Sequence, residues 1–185
     1  HEGIVELSDN APIGAPAVEV MGLGDPIIEI AITPNRGDCL GVRGIARDLA
    51  ASGLGTLKTL DTSPVPGTFD SPRGVVLDFS EGKKSACPYF IGRTVRGVTN
   101  SESPAWMKDR LLSIGLRPIS ALVDITNYVT YDLGRPLHVF DTAHVNGDIR
   151  PRMGRAGETM LALDGKTYEL DEEVCVIGDE SEHAE

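Results

Sequence analysis

The sequence has few aromatic residues, few cysteines and no long apolar run. Phe, Trp and Tyr make up 5% of its 185 residues, with a single Trp. The three cysteines, Cys39, Cys87 and Cys175, are far apart and odd in number, and no CxxC or Cys/His cluster occurs. No structural zinc site is therefore expected, and a reducing, cytoplasmic setting fits best. Each Cys reads as a small buried apolar residue. No window approaches the ~18 apolar residues of a membrane span. No signal peptide is expected, because His1-Glu2-Gly3-Ile4-Val5-Glu6 lacks a basic region and an apolar run. GxSxG, P-loop, GxGxxG and HExxH motifs are also missing, so no covalent nucleophile, nucleotide or metal site announces itself.

What is present is globular. Hydrophobic residues make up 41% of the chain, and its length suits one domain, or one domain and part of another. The net charge of -11 argues against nonspecific coating of nucleic acid. That charge is unevenly placed. Residues 168–185 hold eight acids and no Lys or Arg, and setting those eight aside leaves -3 for the other 167 residues. Residues 81–117 are locally +4, which suits either a solvated face or one turned to an anionic partner. The chain opens without Met on a strand-like Gly3–Leu7, and is read as a piece of a longer protein.

Asn10–Gly24 is Gly/Pro-rich and reads as loop. Ile27–Ile32 reads as a strand and Thr33–Gly37 as a turn. Asp38 is the expected N-cap of a helix over Cys39–Ser52, stopped by Gly53. Residues 54–73 hold Pro64, Pro66 and Pro72 without helical period, and read as a linker. Strands are expected over Gly74–Phe79 and Tyr89–Val95. Ser103 is the expected cap of a helix starting at Pro104. A second helix is expected over Ala121–Leu133, ended by Gly134. Strands follow at residues 148–153 and 174–177, with a hairpin between them turning at Asp164-Gly165. The fold class is α+β.

The stretch Arg117–Asp141, RPISALVDITNYVTYDLGRPLHVFD, gathers the most polar chemistry. Asp124, Thr126 and Asn127 lie on a helix whose apolar stripe is Leu122, Ile125, Val129 and Leu133. His138 follows Gly134 in an extended segment. The ordinary reading of each residue is bland: Asp124 solvated, Thr126 bonded back to its own helix, Arg117 in an exposed pair, His138 at the surface, Trp106 in the core. Pattern alone gives a soluble unit with a polar pocket around Asn127 and His138.

Two stretches resemble the β subunit of bacterial phenylalanyl-tRNA synthetase. One is ITPNRGDCL (Ile32–Leu40) with GIARDLAA (Gly44–Ala51); the other is Arg117–Asp141, in matching order and spacing. The resemblance implies the tail of a tRNA-binding OB-like domain in residues 1–10 and the second part of the N-terminal domain in 11–55. A linker in 56–73 and the first part of the B3/B4 editing module in 74–185 would follow. It implies a parent α2β2 enzyme that charges tRNA(Phe) with ATP and magnesium, with synthesis on the α subunit. No cofactor or metal is implied for this chain. The parent also needs editing, because an apolar pocket rejects the added hydroxyl of tyrosine by only about a hundredfold.

By motif position, His138 matches the family's editing histidine, Thr126 and Asn127 match its threonine–asparagine pair, and Arg117 lies near the tRNA end. The implied roles are orientation of the ester and of the attacking water, with no acyl-enzyme. The Gly-rich segment and glutamate that complete the family's pocket lie further along the subunit. The site is therefore expected to be partial here, and the isolated chain to have little hydrolytic activity. The alternatives are a stand-alone B3/B4 module for trans-editing or aminoacyl binding, and a non-catalytic interaction module. The ITPNRGDCL segment argues against the first, since a free editing module has no need of it.

Overall fold

The computed structural model describes residues 4, 6–162 and 165–181. It is mixed α and β. The helices are α1 (Ala17–Val20), α2 (Val42–Ala51), α3 (Ala105–Ser113) and α4 (Ala121–Leu133). The strands are β1 (Arg150–Met153), β2 (Thr159–Leu161), β3 (Thr167–Glu169) and β4 (Cys175–Gly178). The chain divides into two compact units that interleave in sequence. Unit 1 is His1–Asp61 with Thr99–Val139, and unit 2 is Thr62–Val98 with Phe140–Glu185. Compactness thus groups α3 and α4 with the N-terminal stretch, whereas the sequence division put them with everything after residue 74.

In unit 1, α2 and α3 both pack on α4. The bounds of α4 are those expected. Gly134 ends it in the left-handed region at φ 68, where a residue without Cβ is favoured. The start of α3 differs from expectation. Pro104 is extended and takes the cap position itself, and its carbonyl accepts the N–H groups of Met107 and Lys108 at 3.0 and 3.1 Å. Ser103 does not cap; it is buried against α4. Met107 and Leu111 supply the buried face of α3.

Helix α2 also starts later than expected. Asp38 is not its cap but lies in a 3-10 turn, Gly37–Cys39, and an extended Gly41 precedes Val42. Among residues 10–24, expected to be loop, one helical turn (α1) forms after Pro16. The strand expected over Ile27–Ile32 is absent. Ile27, Ile28 and Ile30 are exposed, and among the described residues no strand lies beside them. An extended segment becomes a strand only when a neighbour takes its backbone hydrogen bonds. Of the strand-like opening Gly3–Leu7, residues 3 and 5 lie outside those described, and residues 4, 6 and 7 are not in a strand.

In unit 2, β1 and β4 pair antiparallel, from Arg150 opposite Gly178 to Met153 opposite Cys175. The strand expected over 74–79 reduces to two parallel bridges, Val75 with Ile149 and Asp78 with Arg152. The strand expected over 89–95 does not form. That segment meets the linker instead: Arg93 Nη2 donates to the Val65 carbonyl at 2.9 Å and Thr94 shares a hydroxyl hydrogen bond with Ser71. Prolines in that linker lack the N–H that a ladder needs.

The hairpin pairs β2 with β3, Leu161 opposite Thr167. A two-residue Asp164-Gly165 turn would have put Leu161 opposite Tyr168, so the register is one step away; residues 163 and 164 lie outside those described. Val145, Pro151, Leu170 and Val176 are buried apolar residues of this unit.

Candidate functional site

Helix α4 carries the polar residues singled out in the sequence. Asp124 is wholly buried rather than solvated. One carboxylate oxygen accepts the Ser103 hydroxyl, and the other accepts the Ile119 N–H at 2.9 Å. This carboxyl ties the start of α4 to the segment before it, so burial is tolerated because both oxygens are bonded. Thr126 is half-buried and donates its hydroxyl to the Val123 carbonyl at 2.7 Å, within its own helix. Asn127 is half-buried one position on; Arg117 and His138 are exposed on either side of the helix in sequence. A groove of about 380 Å³ in the same unit is lined by Val42, Leu49, Leu54, Leu60, Asp132 and Leu133 among others. None of Arg117, Thr126, Asn127 or His138 lines it.

Trp106 is half exposed rather than core. It stands edge-on to Tyr128 at 5.3 Å between ring centroids. The Arg110 guanidinium lies 5.7 Å from the Trp106 ring centroid and donates to the Tyr128 hydroxyl at 2.8 Å. Other cations of the basic stretch are also engaged. Lys83 pairs with Glu173, Lys84 with Glu81, Lys108 with Glu102, and Arg96 lies over Phe69. One acid of the tail, Glu173, therefore neutralises part of that stretch.

The ITPNRGDCL motif folds around an ion-pair cluster. Arg36 donates from Nε to Asp38 at 3.0 Å and from Nη2 to Asp48 at 2.5 Å. Arg47 also pairs with Asp38. The hydrogen bond from Arg36 is the main reason that the Asp38 carboxyl is held at about 2. Asp48 is lowered for the same reason. Burial pushes the Cys39 thiol up, and its hydrogen bond to Asp48 acts in the same direction. Donor atoms of Asp38, Cys39 and Asp48 lie within 4.8 Å of one another. Both carboxylates are already committed to guanidinium groups and the thiol keeps its proton, so this donor set suits an ion-pair clamp better than a metal.

The two motifs meet. A Cβ placed on Gly41 would lie 2.3 Å from the backbone nitrogen of Gly134, and one on Gly134 would lie 3.5 Å from the Leu40 carbonyl carbon. The cap of α2 therefore rests directly on the cap of α4.

Residues 86–184 match the B3/4 domain. The chain belongs to the B3/4 domain family. It is 60% identical over 181 residues to the phenylalanine–tRNA ligase beta subunit of Paramagnetospirillum magneticum, which covers 98% of this chain and 23% of that protein. It is 54% identical over 182 residues to that of Cereibacter sphaeroides and 56% identical over 181 residues to that of Brucella abortus, each covering 98% of this chain and 22% of the relative. The resemblance carried by the two motifs thus extends over nearly the whole chain, which spans under a quarter of the length of these relatives. No helix among the described residues is long and apolar enough to cross a membrane.

Outside the motifs, this B3/4 chain holds groups that sequence reasoning missed. Arg152 of β1 and Glu158 form a buried two-pronged pair, Nη1 to Oε2 at 2.9 Å and Nη2 to Oε1 at 2.5 Å. Asp179, one of the eight acids of the tail, is buried. It accepts the N–H groups of Asn146 and Ser181 at 2.6 and 2.7 Å. A sequence signal for the pair was the arginine inside the Arg150–Met153 strand; for Asp179 it was its place just after an apolar strand. Of the three cysteines only Cys39 is buried; Cys87 is half-buried and Cys175 exposed.

Proposed function

We propose that the chain is a segment of a phenylalanine–tRNA ligase β subunit and supplies part of the site that hydrolyses mischarged Tyr-tRNA(Phe). The observation that carries this reading is the 54–60% identity to β subunits along nearly the whole chain, with Thr126, Asn127 and His138 standing at the family's motif positions. In this reading the 3′ acceptor end of tRNA(Phe) brings a tyrosyl ester to the Asn127–His138 region. The His138 imidazole holds the attacking water and takes up its proton. Asn127 hydrogen-bonds the ester end, Thr126 orients it through its hydroxyl oxygen, and Arg117 meets the nucleotide backbone. Water attacks the ester carbonyl, the ribose oxygen leaves with a proton, and tyrosine is released.

Synthesis of Phe-tRNA belongs to the α subunit of an α2β2 assembly in the cytoplasm. ATP and magnesium serve that step. The ion-pair cluster around Asp38 does not fit a magnesium ion, since Arg36 and Arg47 already hold its carboxylates, and no step here is routed through either group.

The test is deacylation of Tyr-tRNA(Phe) by the full-length assembled enzyme. His138→Ala is expected to lower the hydrolysis rate by about 100-fold or more, the usual scale for a positioned acid or base. Charging with phenylalanine should stay unchanged. Intact deacylation in that variant would refute the reading.

A further inference from the structure

The two motifs that set this chain apart lie far apart in sequence, yet they share one backbone contact. Gly41 precedes α2 in extended conformation at φ -167 and ψ 158, which any residue can adopt, so conformation alone does not ask for glycine there. Space does. A Cβ at Gly41 would sit 2.3 Å from the Gly134 nitrogen, 2.9 Å from its Cα and 3.0 Å from the Leu133 carbonyl carbon. All three are backbone atoms, which cannot swing aside as a side chain does. The Gly134 N–H is engaged as well, donating to the Thr130 carbonyl at 2.9 Å. The Thr130 hydroxyl bonds the Thr126 carbonyl at 2.8 Å and reaches the Arg135 carbonyl at 3.4 Å. The chain leaving α4 is thus fixed where it sets out toward His138, four residues past Gly134.

The other side of the contact is fixed too. Gly44 lets α2 lie against the Asp38 carbonyl, where a Cβ would approach to 2.0 Å. Arg36 and Arg47 bind Asp38 and Asp48 across the turn that leads into α2. The segment from Arg36 to Asp48 is a clamped seat, and Gly41 is the point at which α4 touches it.

We propose that this seat is a positioning element for His138: Gly41, backed by the Arg36–Asp38–Asp48 clamp, sets the path of the chain from Gly134 to the histidine. The inference rests on the editing role proposed for His138. It also gives the ITPNRGDCL segment a purpose beside an editing module.

The experiment uses the full-length β subunit assembled with its α subunit, and measures deacylation of Tyr-tRNA(Phe) as separate kcat and KM values. Gly41→Ala is expected to lower kcat by about 100-fold, the scale of a misplacement near 1 Å. KM for tRNA and the rate of phenylalanine charging should stay at the wild-type level. Gly37→Ala is the control in the same turn, because a Cβ there meets nothing within 4 Å; its kinetics should match wild type. Asp48→Asn keeps the shape and loosens the clamp, and should lower kcat by about threefold with KM unchanged. It also stands in if the Gly41 variant fails to assemble. Wild-type kcat in Gly41→Ala, or equal losses in Gly37→Ala and Gly41→Ala, would overturn the proposal. So would a wild-type kcat in Asp48→Asn where Gly41→Ala does not assemble. Wild-type deacylation in His138→Ala would instead remove the editing role on which it rests.

Discussion

Both units carry exposed ion pairs, but among the described residues a buried one occurs in unit 2 and not in unit 1. Unit 2 buries a complete ion pair, Arg152 with Glu158, each side chain 6% exposed. Unit 1 leaves its ion pairs near the surface, with Arg36, Asp38, Arg47 and Asp48 each 40–48% exposed. Its buried carboxyl, Asp124, has no cation and is held by the Ser103 hydroxyl and the Ile119 N–H, as Asp179 of unit 2 is held by two backbone N–H groups. The difference separates two uses of charge. A buried pair is costly to break, because the survivor is stranded in a medium that cannot solvate it. An exposed cluster contributes little stability but still fixes local geometry when several charges share partners.

The largest effect is expected where the comparison is sharpest. Glu158→Ala leaves the Arg152 guanidinium buried without its partner and removes the acceptor of the Arg155 N–H at 3.0 Å. The expected loss is about 3–5 kcal/mol, read as a fall in the midpoint of denaturant unfolding or as lost amide protection across β1 and β4. The double replacement Arg152→Met with Glu158→Leu should recover most of that loss, because no charge is then stranded. If the single and double variants were equally damaged, packing rather than charge would hold this corner together.

A smaller effect is expected in unit 1. Asp124→Ala removes the acceptor of two groups, a buried hydroxyl and a backbone N–H. The expected cost is about 1–3 kcal/mol for each donor left unpaired. Asp124→Asn keeps one oxygen and offers an amide to the Ser103 oxygen, so it should cost clearly less. Equal losses in the two variants would mean that the charge itself, not the hydrogen bonds, matters at this position.

The long helix α4 was legible to the residue, and the strands at residues 148–153 and 174–177 and the hairpin between them form where expected, whereas those at 27–32 and 89–95 do not, for one physical reason. A helix satisfies its own backbone, so the stripe Leu122, Ile125, Val129, Leu133 and the stop at Gly134 were enough to bound α4. A strand needs a neighbour, and the sequence does not say whether one is present. Ile27–Ile32 and Tyr89–Val95 have strand composition, but no strand among the described residues pairs with them. Residues 150–153 and 175–178 pair because each supplies the other's ladder. Burial was misread wherever a polar residue found partners distant in sequence. Asp124 looked solvated until Ser103, 21 residues away, came within reach, and Trp106 looked like core until Tyr128 and Arg110 proved to be its neighbours at the surface. The candidate residues Thr126, Asn127 and His138 were picked out by motif; the Gly41–Gly134 contact beside them has no signature in either motif alone.

The smallest expected effect comes from the exposed cluster, and its sign follows from the carboxyl of Asp38. Arg36 holds that group at about 2 against an ordinary value of 3.8. A carboxyl lowered on folding contributes stability above its unfolded value and loses it as the pH falls through the folded one. Asp38 therefore supports the turn before α2 fully above about pH 4, and its support should fade between about pH 4 and pH 2. Asp38→Asn should remove that part of the acid dependence, so wild type and variant should differ at neutral pH and converge near pH 2. Solvent screening at these exposed side chains keeps the difference small, and about 1 M salt should shrink it further. The measurement is amide exchange in α2 as a function of pH. A gap between the two proteins that persists at pH 2, or that is insensitive to salt, would show that Asp38 acts through the shape of the turn and not through its charge.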